Sequence, residues 1–149
     1  MQRGGGGGLS TASELVRRWL DAARADLMAA RNCVDGPHYL PGIAAYHCQQ
    51  AAEKLVKAVL IHRGMEPARS HDIDTLIGRL PEADPSRQTL EDLGRFTPYA
   101  VAFRYPGEDL DPNPPSRDDL TGWMAEIETA IRAAAVETAP DKAEPANGL

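Results

Sequence analysis

Residues 46–58 read YHCQQAAEKLVKA, and this stretch decides the fold of the chain. It has the spacing of an α-helix, yet strongly polar side chains alternate with alanines where a bundle helix would carry leucines. On a helix the polar residues form two ridges, Gln50, Lys54 and Lys57 in one and Gln49 with Glu53 in the other. Small neighbours allow close helix approach, so we expect the ridges to be partly enclosed and to need polar partners. The stretch therefore predicts a helix that carries a site or a subunit contact.

Helical signals continue on both sides of this stretch. Residues 11–14, Thr-Ala-Ser-Glu, form a capping-box pattern. Apolar residues at helical spacing then predict a first helix that ends at residues 35–37, Asp-Gly-Pro; they are Leu15, Trp19, Ala23, Leu27, Ala30 and Val34. Pro41 suits the first turn of the second helix, and Gly64 ends it.

The second half of the chain repeats the helical pattern. A short helix is predicted over residues 72–80, and a third long helix from near Ser86 to Val101, which Pro98 should kink or split. Residues 116–119 cap a last helix. Since no segment alternates with period two, we predict an all-α domain, an up-and-down four-helix bundle with one short extra helix across an end.

The domain limits follow from composition. Residues 1–9 are glycine-rich and read as a flexible lead-in, residues 10–138 as the helical domain, and residues 139–149 as a disordered tail. Cys33 and Cys48 show no ligand spacing, so we expect buried reduced thiols. No apolar run approaches the roughly 20 residues that span a bilayer, and no signal-peptide pattern is present. We therefore expect a cytoplasmic protein without a membrane partner.

The net charge of −6 is unevenly distributed. Residues 105–149 carry three basic and ten acidic groups, whereas residues 47–104 carry eight of each. General electrostatic capture of nucleic acid is therefore not indicated, although the neutral middle leaves room for a local basic patch.

Two further motifs follow the polar helix, Ser70-His71-Asp72 and Arg104-Tyr105-Pro106. With the Gln-Gln-Ala-x-Glu-Lys helix they occur in an order and at separations that resemble the HEPN domain family, over roughly residues 14–137. The resemblance implies a helical bundle, a homodimer and, as in many members, a minimal nucleotidyltransferase partner in a toxin–antitoxin pair. It also implies binding of nucleotide or RNA.

Many HEPN proteins are metal-independent ribonucleases with an arginine and a histidine that are separated by four to six residues. The resemblance makes Arg104 the candidate catalytic residue. The seven residues after it contain no histidine, so the family's base is missing, and only an acidic group of residues 108–111 would remain there. No metal-ligand set and no cofactor motif is present.

The candidate nucleotide- or phosphate-binding residues are Gln50, Lys54, Lys57, Arg104 and Tyr105, supported by His47, Glu53, His71 and Asp72. Each has a structural alternative. Glu53 and Lys57 fit a surface ion pair at a spacing of four, Arg104 a helix cap or a partner of Glu53, and Tyr105 packing under the proline loop. Asp72 fits a helix cap with the His71 ring filling a gap, and His47 a hydrogen-bonded core histidine.

Three functions remain open. The first is a dimeric module that binds nucleotide or RNA beside a nucleotidyltransferase, using Gln50, Lys54 and Arg104. The second is a metal-independent endoribonuclease toxin in which Arg104 works with a base other than the family's histidine. The third is a helical dimer whose polar ridges only fix the register of the helices.

Overall fold

The computed structural model describes residues 11–66, 69–99 and 115–140. Helix α1 spans Ala12–Asp35 and begins with the predicted capping box, in which Thr11 and Glu14 bond each other's backbone amides. In the first turns of α1, the buried residues are not the ones predicted. Val16 and Leu20 are buried there, while Leu15 is 37% exposed and Trp19 is half-buried. Farther along, the predicted stripe is confirmed by Ala23, Leu27, Ala30 and Val34.

Helix α2 spans Pro41–His62 and is the central helix of the fold. It is buried around most of its circumference, against α1 on one side and the C-terminal helix on another. Many of its buried side chains are alanines, whose small size allows this close packing; they are Ala44, Ala45, Ala51, Ala52 and Ala58. The enclosed helix predicted from residues 46–58 is therefore confirmed.

Shorter helices follow α2. Helix α3 spans Ile73–Ile77 and α4 spans Pro85–Leu90, after which the backbone tightens into a 3-10 helix over Glu91–Phe96. A single long helix from Ser86 was therefore the wrong interpretation. The chain divides at Leu90, and it divides again at Pro98, as predicted, because Thr97 and Pro98 form a turn before helical backbone resumes at Tyr99. Gly94 lets the 3-10 helix approach α3, because a Cβ atom there would lie 1.8 Å from Asp74 Oδ1.

Helix α5 spans Arg117–Thr138 and starts with a second capping box, formed by Ser116 and Asp119. It runs antiparallel to α1: Arg117 donates to the carbonyl of Val34 near one end, and residues of α1 from Ser13 line a shallow cavity with Thr138 near the other. Helices α1, α2 and α5 share one core. The predicted all-α bundle is confirmed.

Arg63, at the end of α2, ties three elements together. Its guanidinium bonds Asp84 at 2.6 and 2.9 Å and Ser86 at 2.8 Å, both near the start of α4, and it pairs with Glu137 of α5 at 2.7 Å. The hydrogen bonds from Arg63 outweigh burial and lower the pKa of Asp84 to about 2. These contacts hold the ends of α2, α4 and α5 together, at the end of the bundle opposite the turn between α1 and α2.

Both cysteines are free thiols. Cys48 is buried, as predicted, and burial raises the pKa of its thiol to about 12. Cys33 is only half-buried, against the prediction. Over the described ranges, none of the helices combines the length and the apolar character needed to cross a bilayer.

Candidate functional site

The polar residues of α2 divide into two groups, and the first is a buried row. Gln49, Glu53 and Lys57 follow each other at a spacing of four and are 0%, 3% and 7% exposed. Gln49 Nε2 donates to Glu53 Oε1 at 3.0 Å, and Lys57 Nζ donates to Glu53 Oε2 at 2.9 Å. The predicted Glu53–Lys57 pair exists, but it is not a surface pair. Lys57 also belongs to this row and not to a ridge with Gln50 and Lys54.

The buried row reaches the surface through the turn before α3. The Nδ1 atom of His71 lies 3.1 Å from Glu53 Oε2 and 3.2 Å from Oε1. The backbone carbonyl of His71 accepts a hydrogen bond from Gln49 Nε2 at 3.3 Å. Gln50 Nε2 donates to Gln49 Oε1 at 2.6 Å, and so extends the network toward a half-buried position. Four side chains and one backbone carbonyl are thus joined around a single carboxylate.

Glu53 is ionised at the centre of this network. Burial alone would raise the pKa of its carboxyl group, but hydrogen bonds from Lys57 and Gln49, the charge of Lys57 and the contact with His71 outweigh burial and lower it. Lys57 also lies over the ring of Trp19 on α1, 5.6 Å from the centroid. The lysine is therefore enclosed between an aromatic face and a carboxylate and is not available at the surface for phosphate.

The second group is centred on Asp26 of α1. Its carboxylate, 12% exposed, accepts from Lys54 Nζ at 2.6 Å and lies 2.9 Å from His47 Nδ1. The side chains of Lys54 and His47 are 28% and 27% exposed, so both remain open to solvent along one edge at the α1–α2 boundary. His47 is hydrogen-bonded, as predicted, but it lies at the edge of the core and not within it.

The turn over residues 70–72 combines a confirmed and a wrong prediction. Asp72 caps α3: its carboxylate accepts from the amide of Asp74 and from the hydroxyl of Thr75. The side chain of His71 is 64% exposed, so it does not fill a gap under the helix. Its carboxylate partner is Glu53 of α2 and not the adjacent Asp72.

Arg104 and Tyr105 lie outside the described residues, as does the acidic stretch over residues 108–111. Their assignment to catalysis, phosphate binding or stacking therefore stays a prediction. The same holds for the alternative pairing of Arg104 with Glu53.

Asp26 and Gln49 are members of these groups that the predicted site omits. Asp26 stands three residues after Ala23 and four before Ala30, both buried, so helical spacing already places it beside the buried face of α1. A carboxylate there needs a partner from the facing helix, and this signal was available in the sequence.

A protein-family model described as HEPN domain matches residues 16–137, which include nearly all of α1, the whole of α2 to α4 and most of α5. The chain belongs to the HEPN domain family. The motifs of residues 46–58 and 70–72, whose side chains meet at Glu53, lie within the matched range.

Two solved structures are similar to this HEPN domain. One is TT1696 from Thermus thermophilus, with a TM-score of 0.64 and 28% sequence identity. The other is ST0689, an archaeal HEPN homologue, with a TM-score of 0.61 and 25% identity. Each likeness covers 83% of this chain and 97% of the other. A comparison with curated proteins finds no significant match.

Proposed function

We propose that this HEPN domain binds RNA or a nucleotide as a homodimer and acts with a nucleotidyltransferase partner in a toxin–antitoxin-like system. The observation that carries the binding proposal is that three polar side chains of α2 remain partly open to solvent. Gln50, Lys54 and His47 are half-buried there, each held from behind by a more deeply buried partner. Donors fixed in this way lose little conformational entropy when a ligand binds.

The electrostatics of the edge favour a polar site over a strongly cationic one. Lys54 is paired with Asp26 at 2.6 Å, and Lys57 is enclosed beside Glu53. Few phosphate charges would then be neutralised by this surface, so we expect a shallow dependence of affinity on salt. Arg104 is expected to add the bidentate phosphate contact.

The dimer proposal has separate support. Three large apolar side chains are exposed around the turn from α1 into α2: Tyr39, Leu40 and Ile43 are 40%, 43% and 44% exposed. A cluster of exposed apolar side chains is typical of a protein interface. The nucleotidyltransferase partner is inferred from the resemblance described above.

Fluorescence anisotropy with labelled single-stranded RNA tests the binding proposal. We expect Gln50→Ala and Lys54→Gln each to weaken binding about three- to tenfold, as loss of one hydrogen bond or ion pair at a site would do. We expect Arg104→Ala to weaken it more. The matched control is Arg132→Gln, which removes one positive charge from the exposed surface of α5. An equal loss in the control, or no binding by the wild type, would contradict the proposal.

A further inference from the structure

His71 and Glu53 form a carboxylate–imidazole dyad that the sequence motifs do not suggest, because 18 positions separate the two residues. The carboxylate is buried, with 4% of the side chain exposed, whereas the histidine side chain is 64% exposed. We propose that this dyad is a general base, in which Glu53 positions His71 and His71 accepts a proton from a ribose hydroxyl of bound RNA. The proposal rests on the RNA binding proposed above.

The hydrogen bonding of Glu53 determines which ring nitrogen carries the proton. Both carboxylate oxygens already accept hydrogen bonds, from Gln49 and Lys57, and an ionised carboxylate can only accept. The Nδ1 atom of His71 must therefore donate to Glu53. In the neutral ring Nε2 is then an unprotonated acceptor, which is the form that a general base requires.

The position of the ring is fixed by α2. Gln49 bonds the backbone carbonyl of His71, and Glu53 bonds the ring, so one helix holds both the main chain and the side chain. A base that is held in this way needs little reorganisation when substrate arrives. The exposure of His71 leaves room for a polynucleotide to approach the ring.

RNA supplies the matching chemistry, because a hydroxyl stands next to each phosphodiester. His71 Nε2 accepts the proton of the 2′-hydroxyl, O2′ forms a bond to the adjacent phosphorus, and the bond from phosphorus to O5′ breaks. The leaving O5′ takes a proton from water, and His71 returns its proton to solvent. The products are a 2′,3′-cyclic phosphate and a 5′-hydroxyl, and the step consumes no metal, oxidant or co-reactant.

Cleavage of a labelled single-stranded RNA in EDTA tests the base. We expect the wild type to produce 2′,3′-cyclic phosphate ends, and His71→Ala and His71→Gln to lower the rate at least about a hundredfold. Added imidazole should restore part of the rate to His71→Ala and none to His71→Gln, whose side chain fills the space. His62→Gln is the matched control, since His62 is an exposed histidine at the end of α2.

The positioning role of Glu53 has a spectroscopic test that needs no RNA. In nitrogen-15 spectra of histidine-labelled protein at mildly alkaline pH, we expect His71 to show the Nδ1–H tautomer. Glu53→Gln should shift the ring toward Nε2–H, while His62 stays unchanged. An Nε2–H tautomer in the wild type would overturn the dyad.

The two proposals fail in different ways. RNA binding by the wild type without cleavage, or cleavage that survives in His71→Ala, overturns the general base and leaves the binding proposal standing. No RNA binding and no cleavage overturns both. Cleavage that is lost in the His71 variants while their RNA affinity is kept supports both.

Discussion

Lys57 Nζ lies 2.9 Å from Glu53 Oε2 in the interior of the bundle, where both side chains are almost completely excluded from solvent. Moving two charges out of water is costly, and their attraction compensates only when further hydrogen bonds complete the arrangement. Gln49 and His71 supply those bonds here. The pair therefore depends on every member of the network, and its members should not respond independently to mutation.

Removing one partner of this buried pair should be strongly destabilising. We expect Lys57→Met to lower the free energy of unfolding by about 3–5 kcal/mol, because it leaves the Glu53 carboxylate buried without its cation. The double variant Glu53→Gln/Lys57→Met should recover much of the loss. Urea denaturation followed by circular dichroism measures both.

The Arg87–Glu91 pair provides a matched control for this experiment. It has the same spacing of four on a helical segment, but Glu91 is 57% exposed. Glu91→Gln removes this pair at its exposed end and should cost no more than about 1 kcal/mol. A loss in Lys57→Met as small as this would show that the buried pair does not hold the fold together.

Stability should fall in acid through Asp84. Arg63 lowers the pKa of Asp84 to about 2 in the folded protein, against about 3.9 in an unfolded chain. The stabilisation is thus complete above the unfolded pKa and is lost as the pH falls through the folded pKa. We expect Asp84→Asn, which keeps an N-cap residue, to be less stable than the wild type near neutral pH and to differ little from it at a pH of about 2.

The exposed pair of Asp21 with Arg24 serves as the control for the acid experiment, since Asp21 is 62% exposed. Asp21→Asn should change the free energy of unfolding little at either pH. A difference between wild type and Asp84→Asn that does not vary with pH would exclude the Arg63–Asp84 pair as the acid-sensitive group.

Asp26→Asn should strengthen RNA binding. Asp26 neutralises Lys54 at the edge where RNA is proposed to bind. An asparagine removes that negative charge and keeps an oxygen that can accept a hydrogen bond from Lys54 and hold it in place. We expect a gain of about threefold in affinity at low salt that shrinks as salt is raised. Anisotropy at two salt concentrations measures it, with Asp21→Asn as a charge-matched variant on the same helix. A gain of equal size in both variants would mean that only net charge matters.

Ile43→Ser should weaken self-association if the exposed apolar side chains near the start of α2 form the dimer contact. Sedimentation equilibrium would then show a dissociation constant raised about tenfold or more, as loss of a buried apolar anchor predicts. Val136→Ser is the control, because Val136 is 80% exposed on α5. A monomeric wild type, or a control that dissociates equally, would contradict this contact.

Helix periodicity and capping residues were sufficient to predict α1, α2 and α5. Those signals are local, since Thr11 and Glu14 bond each other across a single turn. The site was less predictable. Lys57 is buried because Trp19 and Glu53 pack around it. The sequence pattern shows that Glu53 and Lys57 are four residues apart, but it does not show which side of α2 is covered by other helices.

Partners that are distant in sequence account for the remaining differences. His71 meets Glu53, and Asp26 meets both His47 and Lys54, only after α1, α2 and the turn before α3 have packed together. The 3-10 segment over Glu91–Phe96 likewise depends on its contact with α3. Gly94 and the nearby Pro98 leave only a weak propensity for a continued α-helix there, so packing against α3 can override it.

Two contacts with α2 fix the orientation of the His71 ring without involving the residues beside it in the turn. The carbonyl of His71 bonds Gln49 and its ring bonds Glu53, so the turn cannot rotate without breaking one of these two hydrogen bonds. Neighbouring positions such as exposed Arg69 can then change without turning the imidazole. Substitution or protein engineering at such positions can therefore change the ligand preference of this turn. The imidazole meanwhile keeps the orientation that its contacts with α2 determine.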